Sequence, residues 1–184
     1  MEDSQIIALY WQRSENAIHE TQNKYGSYCY SIANNILNSP EDSEESVNDT
    51  YLAAWESMPP HKPDVLSAFL GKLTRRISID KWRNRSADKR GGGTVTVALE
   101  ELTGCIPSEF DLQKEMEAKE LAEVINIFLD TLSFPEKRAF LMRYFYLSSI
   151  DDIAKRMRFS DSKVKSTLHR IRKKLRTYLE KEGF

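Results

Sequence analysis

Apolar residues recur every three or four positions through most of this chain, and that period constrains its fold more than any other feature. In the segment 15–38 they follow the spacing of one face of an α-helix. They include Ile18, Tyr25 and Ile32. Stretches that alternate between apolar and polar residues are scarce, and 184 residues contain only seven Gly and six Pro. The sequence therefore predicts an all-α protein.

Two interruptions divide the helical pattern into halves. Three prolines within residues 58–63 forbid a helix there, and the glycines at 91–93 end the first half. Weak periodicity from residue 86 to residue 111 indicates a linker. The predicted organisation is two small helical domains joined by a flexible acidic linker, with the domains at 1–90 and 112–184 and the linker at 91–111.

Capping residues predict where several helices begin. Asp42 with Glu45, and Ser133 with Glu136, have the spacing of a capping box, in which two side chains satisfy backbone N–H groups of the first turn. Helices are predicted at about residues 42–57, 64–85, 149–158 and 161–182. The first of these carries its apolar residues on one face: Val47, Tyr51, Leu52 and Trp55.

The last two predicted helices have the spacing of a helix-turn-helix. Ala154 is small where two helices must approach closely, and residues 158–160 form a short turn. One arc of the second helix is apolar, and every charge on the opposite arc is positive. This outward arc holds Lys163, Lys165, Ser166, His169, Arg170, Lys173 and Arg176. The pattern favours a helix in the major groove of DNA, and a solvated basic surface helix is the alternative.

The formal net charge of −1 hides strong segregation of charge. Residues 41–56 contain six acids and no Lys or Arg, whereas residues 72–90 contain eight bases and two acids. Residues 163–176 contain seven bases and no acid. Such blocks indicate several charged partners. The acidic helix is suited to a basic protein partner, although a merely solvated helix has the same composition.

The predicted helix at 64–85 combines cations with apolar residues on its outward side. Its inward residues are Leu66, Leu70, Leu73 and Ile77. Its outward residues are Lys72, Arg75, Ile79, Trp82 and Arg83. Cations for phosphates and an aromatic ring for an unstacked base are typical of single-strand binding. Packing of Trp82 against a neighbouring helix is the alternative. Asp80 lies near the inward edge, which predicts a structural hydrogen-bonding or ion-pairing role.

Several classes of function have no support in the sequence. The three histidines are scattered, and no Gly-rich phosphate loop or cluster of metal ligands accompanies them. Cys29 and Cys105 form no CxxC pair, which argues against a disulfide framework or a zinc site. Cys29 is expected in the core. We expect no catalysis, cofactor, metal ion or small-molecule substrate.

A cytoplasmic location is expected. No apolar run approaches the roughly 18 residues that span a membrane, so membrane insertion is not predicted. The acidic N-terminus lacks the basic start and apolar run of a signal peptide.

Two blocks of the chain resemble the extracytoplasmic-function (ECF, group IV) sigma factors of bacterial RNA polymerase. Residues 42–55, DSEESVNDTYLAAW, resemble an acidic helix that is often close to DAEDLVQETFLRAW. Residues 68–80, AFLGKLTRRISID, resemble the following helix, often close to AWLLTIARNLALD. Residues 152–154 and 164–170 resemble the helix-turn-helix. The order and spacing of these pieces are more specific than any piece alone.

The resemblance implies a sigma factor that binds bacterial core RNA polymerase, recognises and opens promoter DNA, and initiates transcription. Its sigma region-two-like first domain would carry polymerase docking and the −10 element, and its region-four-like second domain the −35 element. The residues that match polymerase docking are Glu45, Asn48, Asp49 and Leu52. Those that match −10 recognition and the melted strand are His61, Lys62, Phe69, Lys72, Arg75, Arg76, Trp82 and Arg83. Those that match −35 recognition are Lys163, Lys165, Ser166, His169, Arg170 and Lys173.

The resemblance extends to the linker and to further partners. Glu100 and Glu101 match an acidic linker that threads the polymerase towards the RNA exit channel, and an anti-sigma factor is a further candidate partner. Some positions depart from the family pattern, including Lys163 for Thr and Thr167 for Arg, and these concern promoter preference. The alternative function is an autonomous, dimeric helix-turn-helix repressor or activator.

Overall fold

A computed structural model describes residues 1–86, 94–103, 105 and 115–183. These residues form helices and no strand, so the all-α prediction is confirmed. The chain divides into two compact units, Met1–Gly91 and Gly92–Phe184. None of the described helices is both long enough and apolar enough to cross a membrane.

The described part of the first unit contains four helices. They are α1 (Asp3–Trp11), α2 (Asn16–Leu37), α3 (Pro40–Ser57) and α4 (Leu66–Ser86). Helices α2, α3 and α4 pack against one another, and α1 packs on α2. Leu66 and Leu70 are fully buried, as their period predicts, and Cys29 is a core residue. Gly71 lets α2 approach α4 closely, because a Cβ there would lie 2.4 Å from the Tyr28 hydroxyl oxygen.

The second unit contains five described α-helices. They are α5 (Thr94–Thr103), α6 (Glu115–Asp130), α7 (Phe134–Phe140), α8 (Ile150–Met157) and α9 (Asp161–Glu182), with a π-helical turn at Leu141–Phe145 after α7. Helices α6, α7 and α8 pack on α9, and α5 packs on the π-helical turn. The core residues Ile153, Leu168 and Ile171 are at most 1% exposed.

The predicted starts of α7, α8 and α9 are confirmed, whereas α4 begins two residues later than predicted, at Leu66. The capping box of Ser133 and Glu136 is present. The predicted cap at Asp42 is wrong, because α3 begins at Pro40 and Ser39 accepts a hydrogen bond from the Asp42 N–H at 3.4 Å. Proline suits the first turn because a helix leaves the N–H groups there without intrahelical partners. The earlier start adds half a turn to the acidic helix.

The predicted linker contains a helix. The expectation that residues 91–111 lack a regular element is wrong for α5. Its first residues, Thr94, Val95, Thr96 and Val97, are all β-branched and alternate between polar and apolar. β-Branching lowers their helix propensity, and the alternation hides the helical period. Packing in the second unit compensates, since Ala98 is 1% exposed. The predicted linker residues 106–111 lie outside the described part of the chain.

The buried side of α4 is wider than its apolar pattern predicts. Ile79, expected to face outward, is buried, and Ile77 is only half-buried. Asp80, expected near the inward edge, is exposed. The reason is that α4 packs against both α2 and α3, so its contact arc extends over Thr74 and Ser78, which are fully buried. Small hydroxyl residues at a helix contact leave no apolar signal in the sequence.

Candidate functional site

The cationic arc of α9 is exposed as the sequence predicts. Val164, Ile171 and Leu175 face the core with at most 1% exposure. On the other side, all six predicted −35 residues are exposed: Lys163, Lys165, Ser166, His169, Arg170 and Lys173. The described part of α9 therefore presents a surface with cations along its length and the polar side chains of Ser166 and His169 among them.

The turn between α8 and α9 holds the start of this surface. Arg158 adopts the left-handed backbone conformation, with φ of 55°, and the Phe159 N–H donates to the Ala154 carbonyl oxygen at 2.9 Å. The Ser160 hydroxyl caps α9 by accepting from the Lys163 N–H at 3.2 Å. The Lys163 ammonium lies 3.7 Å from the centre of the Phe159 ring, a cation–π contact. Lys163 is therefore attached to the turn as well as to the helix.

Thr167 does not belong to the exposed arc. It stands where the family pattern has an Arg, and the sequence left its effect on promoter preference open. Its side chain is 5% exposed, so it has no surface for a groove contact. The other departures of α9, Ser162 for Gly and Lys163 for Thr, are exposed.

The proline loop and α4 together form a second cationic surface. Lys62, Lys72, Arg76 and Arg83 are exposed, whereas Phe69, Arg75 and Trp82 are half-buried. The exposed His61 ring lies 5.1 Å from the Phe69 ring, centre to centre, so loop and helix share one surface. Burial lowers the pKa of the Arg75 guanidinium, and the nearby charge of Arg83 lowers it further.

The half-burial of Trp82 leaves both interpretations of this side chain open. Part of the side chain is covered by other residues, and part is exposed to solvent. Single-strand binding at this surface remains a prediction.

The acidic face of α3 exposes three of the four predicted docking residues to solvent. Glu45, Asn48 and Leu52 are exposed, and Asp49 is half-buried. Leu52 is 55% exposed. The expectation that it shares an apolar face with Val47 and Tyr51 is wrong, because it lies one helical position beyond the buried stripe. An exposed leucine beside two carboxylates is suited to a protein partner.

Sequence reasoning missed Lys81, which joins α4 to this acidic face. Its ammonium nitrogen lies 2.8 Å from Glu45 Oε2 and 3.8 Å from Asp49 Oδ2. Lys81 and Glu45 are separated in the sequence by most of two helices and a loop, so no rule of local residue spacing predicts this ion pair.

The sequence model of the ECF sigma factors matches residues 31–181, which include α3, α4, α8 and nearly all of α9. The chain belongs to the ECF sigma factor family. It thus has a sigma factor's role in transcription initiation, with RNA polymerase and promoter DNA as the partners that the family implies. The family is one of non-catalytic transcription regulators. A comparison with curated proteins finds no match to this chain.

In this sigma factor the side chain of Glu101 is hydrogen-bonded within the second unit. It was expected instead to belong to a linker that reaches into the polymerase. The Glu101 carboxylate accepts hydrogen bonds from Arg143 and Arg172 at 3.3 Å and from the Tyr144 hydroxyl at 3.0 Å. Arg143 is 4% exposed, and burial raises the pKa of Tyr144 to about 12. The charge of Glu101 is therefore compensated within the unit.

Glu100, next to it on α5, is exposed. Cys105 is 5% exposed, its thiol donates to the Glu101 carbonyl oxygen at 3.4 Å, and burial raises its pKa. A protonated, covered thiol is a poor nucleophile. In the described residues no three or more His, Cys, Asp or Glu side chains form a group that could hold a metal ion.

Proposed function

We propose that this sigma factor recognises the −35 element with α9, binds the opened −10 strand with α4 and the proline loop, and docks on core polymerase with the acidic face of α3. The observation that carries the proposal is the arc of α9, on which every predicted −35 residue is exposed and no acid interrupts the cations from residue 163 to residue 176. The domain roles and the residues below are part of this proposal.

The −35 contacts divide along α9. Lys163, Lys165 and Ser166 lie in the first two turns after the Ser160 cap, where a recognition helix reaches base edges. Arg170 offers two parallel N–H groups to a guanine edge. His169 and Lys173 lie further along the exposed arc and are assigned to phosphates.

The −10 contacts require an unpaired base. Unpairing and unstacking a DNA base costs a few kcal/mol, and contacts between the protein and the flipped base offset this cost. His61 of the proline loop lies against Phe69 of α4. The cations that are exposed for phosphates are Lys62, Lys72, Arg76 and Arg83. Arg75 and Trp82 are half-buried, so we assign them to the side of the strand nearest the protein.

Docking on the polymerase uses Glu45, Asn48, Asp49 and Leu52, a surface that is acidic at one end and apolar at the other. A basic, partly apolar partner surface complements it. An anti-sigma factor remains a further candidate partner of these surfaces. Because a sigma factor acts where the polymerase is, we propose a cytoplasmic location.

The test is to mix the full-length protein with core RNA polymerase and separate the products by size. A stable one-to-one complex that initiates at a promoter, while free protein binds the same duplex poorly, would support the proposal. The weak binding of free protein is expected because its formal net charge is −1 and non-specific affinity follows the number of neutralised phosphates. Sequence-specific binding of a palindrome by a dimer, without polymerase, would instead support an autonomous regulator.

A further inference from the structure

Lys81 is an unexpected neighbour of the proposed docking surface. It belongs to α4, whereas Glu45 and Asp49 are one turn apart on α3. Its ammonium lies 2.8 Å from Glu45 Oε2 and 3.8 Å from Asp49 Oδ2. The ammonium nitrogen is shielded from solvent and has no aligned hydrogen bond, so the contact is an ion pair set by distance. One cation therefore serves two carboxylates.

The electrostatics of this trio are asymmetric. A shielded ammonium is costly unless opposite charges lie beside it, and the side chain of Lys81 is 20% exposed. The side chains of Glu45 and Asp49 remain 64% and 46% exposed. The ion pairs use one oxygen of each carboxylate. Lys81 thus covers the inner side of the acidic pair and leaves its outer side accessible.

Without a counter-ion the two acids would disfavour one another. Like charges at i and i+4 on a helix repel, and an exposed Glu side chain samples several rotamers. Lys81 opposes both effects, because it lies between the two groups and restrains each. A partner that meets carboxylates already held in place loses less entropy on binding.

We propose that Lys81 is a positioning residue for polymerase docking, which holds Glu45 and Asp49 side by side for a basic partner. This inference rests on the docking surface proposed above. It differs from a placeholder role, in which polymerase would displace Lys81, because the outer side of both carboxylates is accessible while Lys81 stays in place. It also ties docking to α4, the helix that carries the proposed −10 residues.

The experiment measures the affinity of the full-length protein for core polymerase without DNA. Lys81→Met keeps most of the side-chain volume and removes the charge. We expect it to weaken docking about fivefold, in the range of coupling between groups in contact. Lys81→Arg should restore affinity to near the parent value. Lys24→Met removes another ion-paired cation of the first unit, the partner of Asp3 on α1, and should change docking less than about twofold, as surface substitutions do.

A second background separates positioning from folding. In Glu45→Gln/Asp49→Asn protein, Lys81→Met should weaken docking no further, because there are no carboxylates to position. Thermal unfolding of each variant is measured alongside. An equal loss in both backgrounds, accompanied by a lower melting temperature, would overturn positioning in favour of a structural role. Tighter docking of Lys81→Met would overturn it in favour of a placeholder.

The same set of variants distinguishes failure of the inference from failure of the docking surface. If Glu45→Gln/Asp49→Asn weakens docking and Lys81→Met does not, the surface stands and the role of Lys81 is wrong. If Glu45→Gln/Asp49→Asn docks like the parent, the surface itself is wrong. The triple variant lacks both the shielded charge and its partners. Where the double variant folds poorly, the triple variant is therefore compared with Lys81→Met instead.

Discussion

Helices α4 and α9 are both long and cationic, but they are packed differently. The core-facing residues of α9 form one apolar stripe, and its predicted binding residues are all exposed. Helix α4 contacts both α2 and α3. Its cations are accordingly divided among exposed Lys72, Arg76 and Arg83, half-buried Arg75, and Lys81 in an ion pair with α3.

This contrast shows when helical charge can be interpreted from sequence. On a helix that packs along one stripe, the cations opposite the stripe are exposed, and the period identifies them. Cations beside the packed side compensate acids of the same protein, as Arg172 does on α9 and Lys81 on α4. On α4 the packed side is wider than its apolar stripe, so the period does not separate these cations from the exposed ones. The predictions below test this difference, from the largest expected effect to the smallest.

Charge reversal on α3 tests whether the acidic face is a binding surface. Glu45→Arg with Asp49→Arg should reduce polymerase affinity at least about a hundredfold through like-charge repulsion at the interface. The substitutions are made with Lys81→Met, because two new cations beside a shielded ammonium would also destabilise the fold. Affinity is measured by titration with core polymerase.

The control is Glu120→Arg with Glu123→Arg, also made with Lys81→Met, which makes the same change in net charge on exposed residues of α6. A similar loss in this control would assign the effect to total charge. A parent-like helical spectrum is required of both variants.

Removal of the Glu101 carboxylate tests the cluster of Glu101, Arg143, Tyr144 and Arg172, which joins α5 to the rest of the second unit. Glu101→Ala leaves Arg143, whose side chain is 5% exposed, without its ion pair. We expect a loss of about 3 kcal/mol in the stability of this unit, as for a broken buried pair. Hydrogen exchange in peptides of α5 and α9 reports it. Glu100→Ala on the exposed side of α5 should change exchange little, and equal effects of the two substitutions would refute a specific cluster.

Removing Arg75 and Trp82 tests whether α4 binds the opened strand. Arg75→Ala with Trp82→Ala should leave polymerase assembly intact and reduce transcription from a duplex promoter about thirtyfold, since stacking contributes roughly 1–3 kcal/mol per base. A template mismatched across the −10 region should recover part of the loss. Permanganate footprinting follows opening directly. Parent-like opening would mean that Trp82 only packs within the first unit.

Substitutions in α9 should change the preference for one promoter sequence over another and should not change promoter opening. Arg170→Ala and Lys165→Ala are each expected to reduce preference for the native −35 sequence about tenfold, since a side chain paired with a guanine edge contributes roughly 1–3 kcal/mol. Transcription is compared on templates that differ at single −35 positions. Equal losses on every template would restrict these residues to phosphate contacts.

The smallest effect concerns the contact between Phe159 and Lys163. Phe159→Leu removes the ring under the ammonium, and an exposed cation–π contact contributes about 0.5–1 kcal/mol. We expect −35 recognition to weaken about threefold because Lys163 loses its restraint. In Lys163→Met protein the same substitution should have no effect. A loss in that background would indicate that Phe159 acts through packing of the turn.

Much of the architecture follows from the sequence alone. Apolar spacing predicts the helices of both units, and Ser133 with Glu136 predicts the start of α7. The bounds predicted for α9 agree with the structure. These features depend on residues within a few turns of one another, so local rules are sufficient. The outward arc of α9 follows in the same way, because one apolar stripe defines the opposite side.

Only the tertiary structure decided that α5 is a helix and which residues pair with Glu101 and Lys81. Glu101 meets Arg143 and Arg172 at separations of 42 and 71 residues, and Lys81 meets Glu45 across the contact between α3 and α4. It also decided that Ile79 is buried and Asp80 exposed. The physical reason is common to these cases. A side chain that is paired or covered by a distant element carries no periodic signal, because its environment comes from a segment that sequence spacing does not specify.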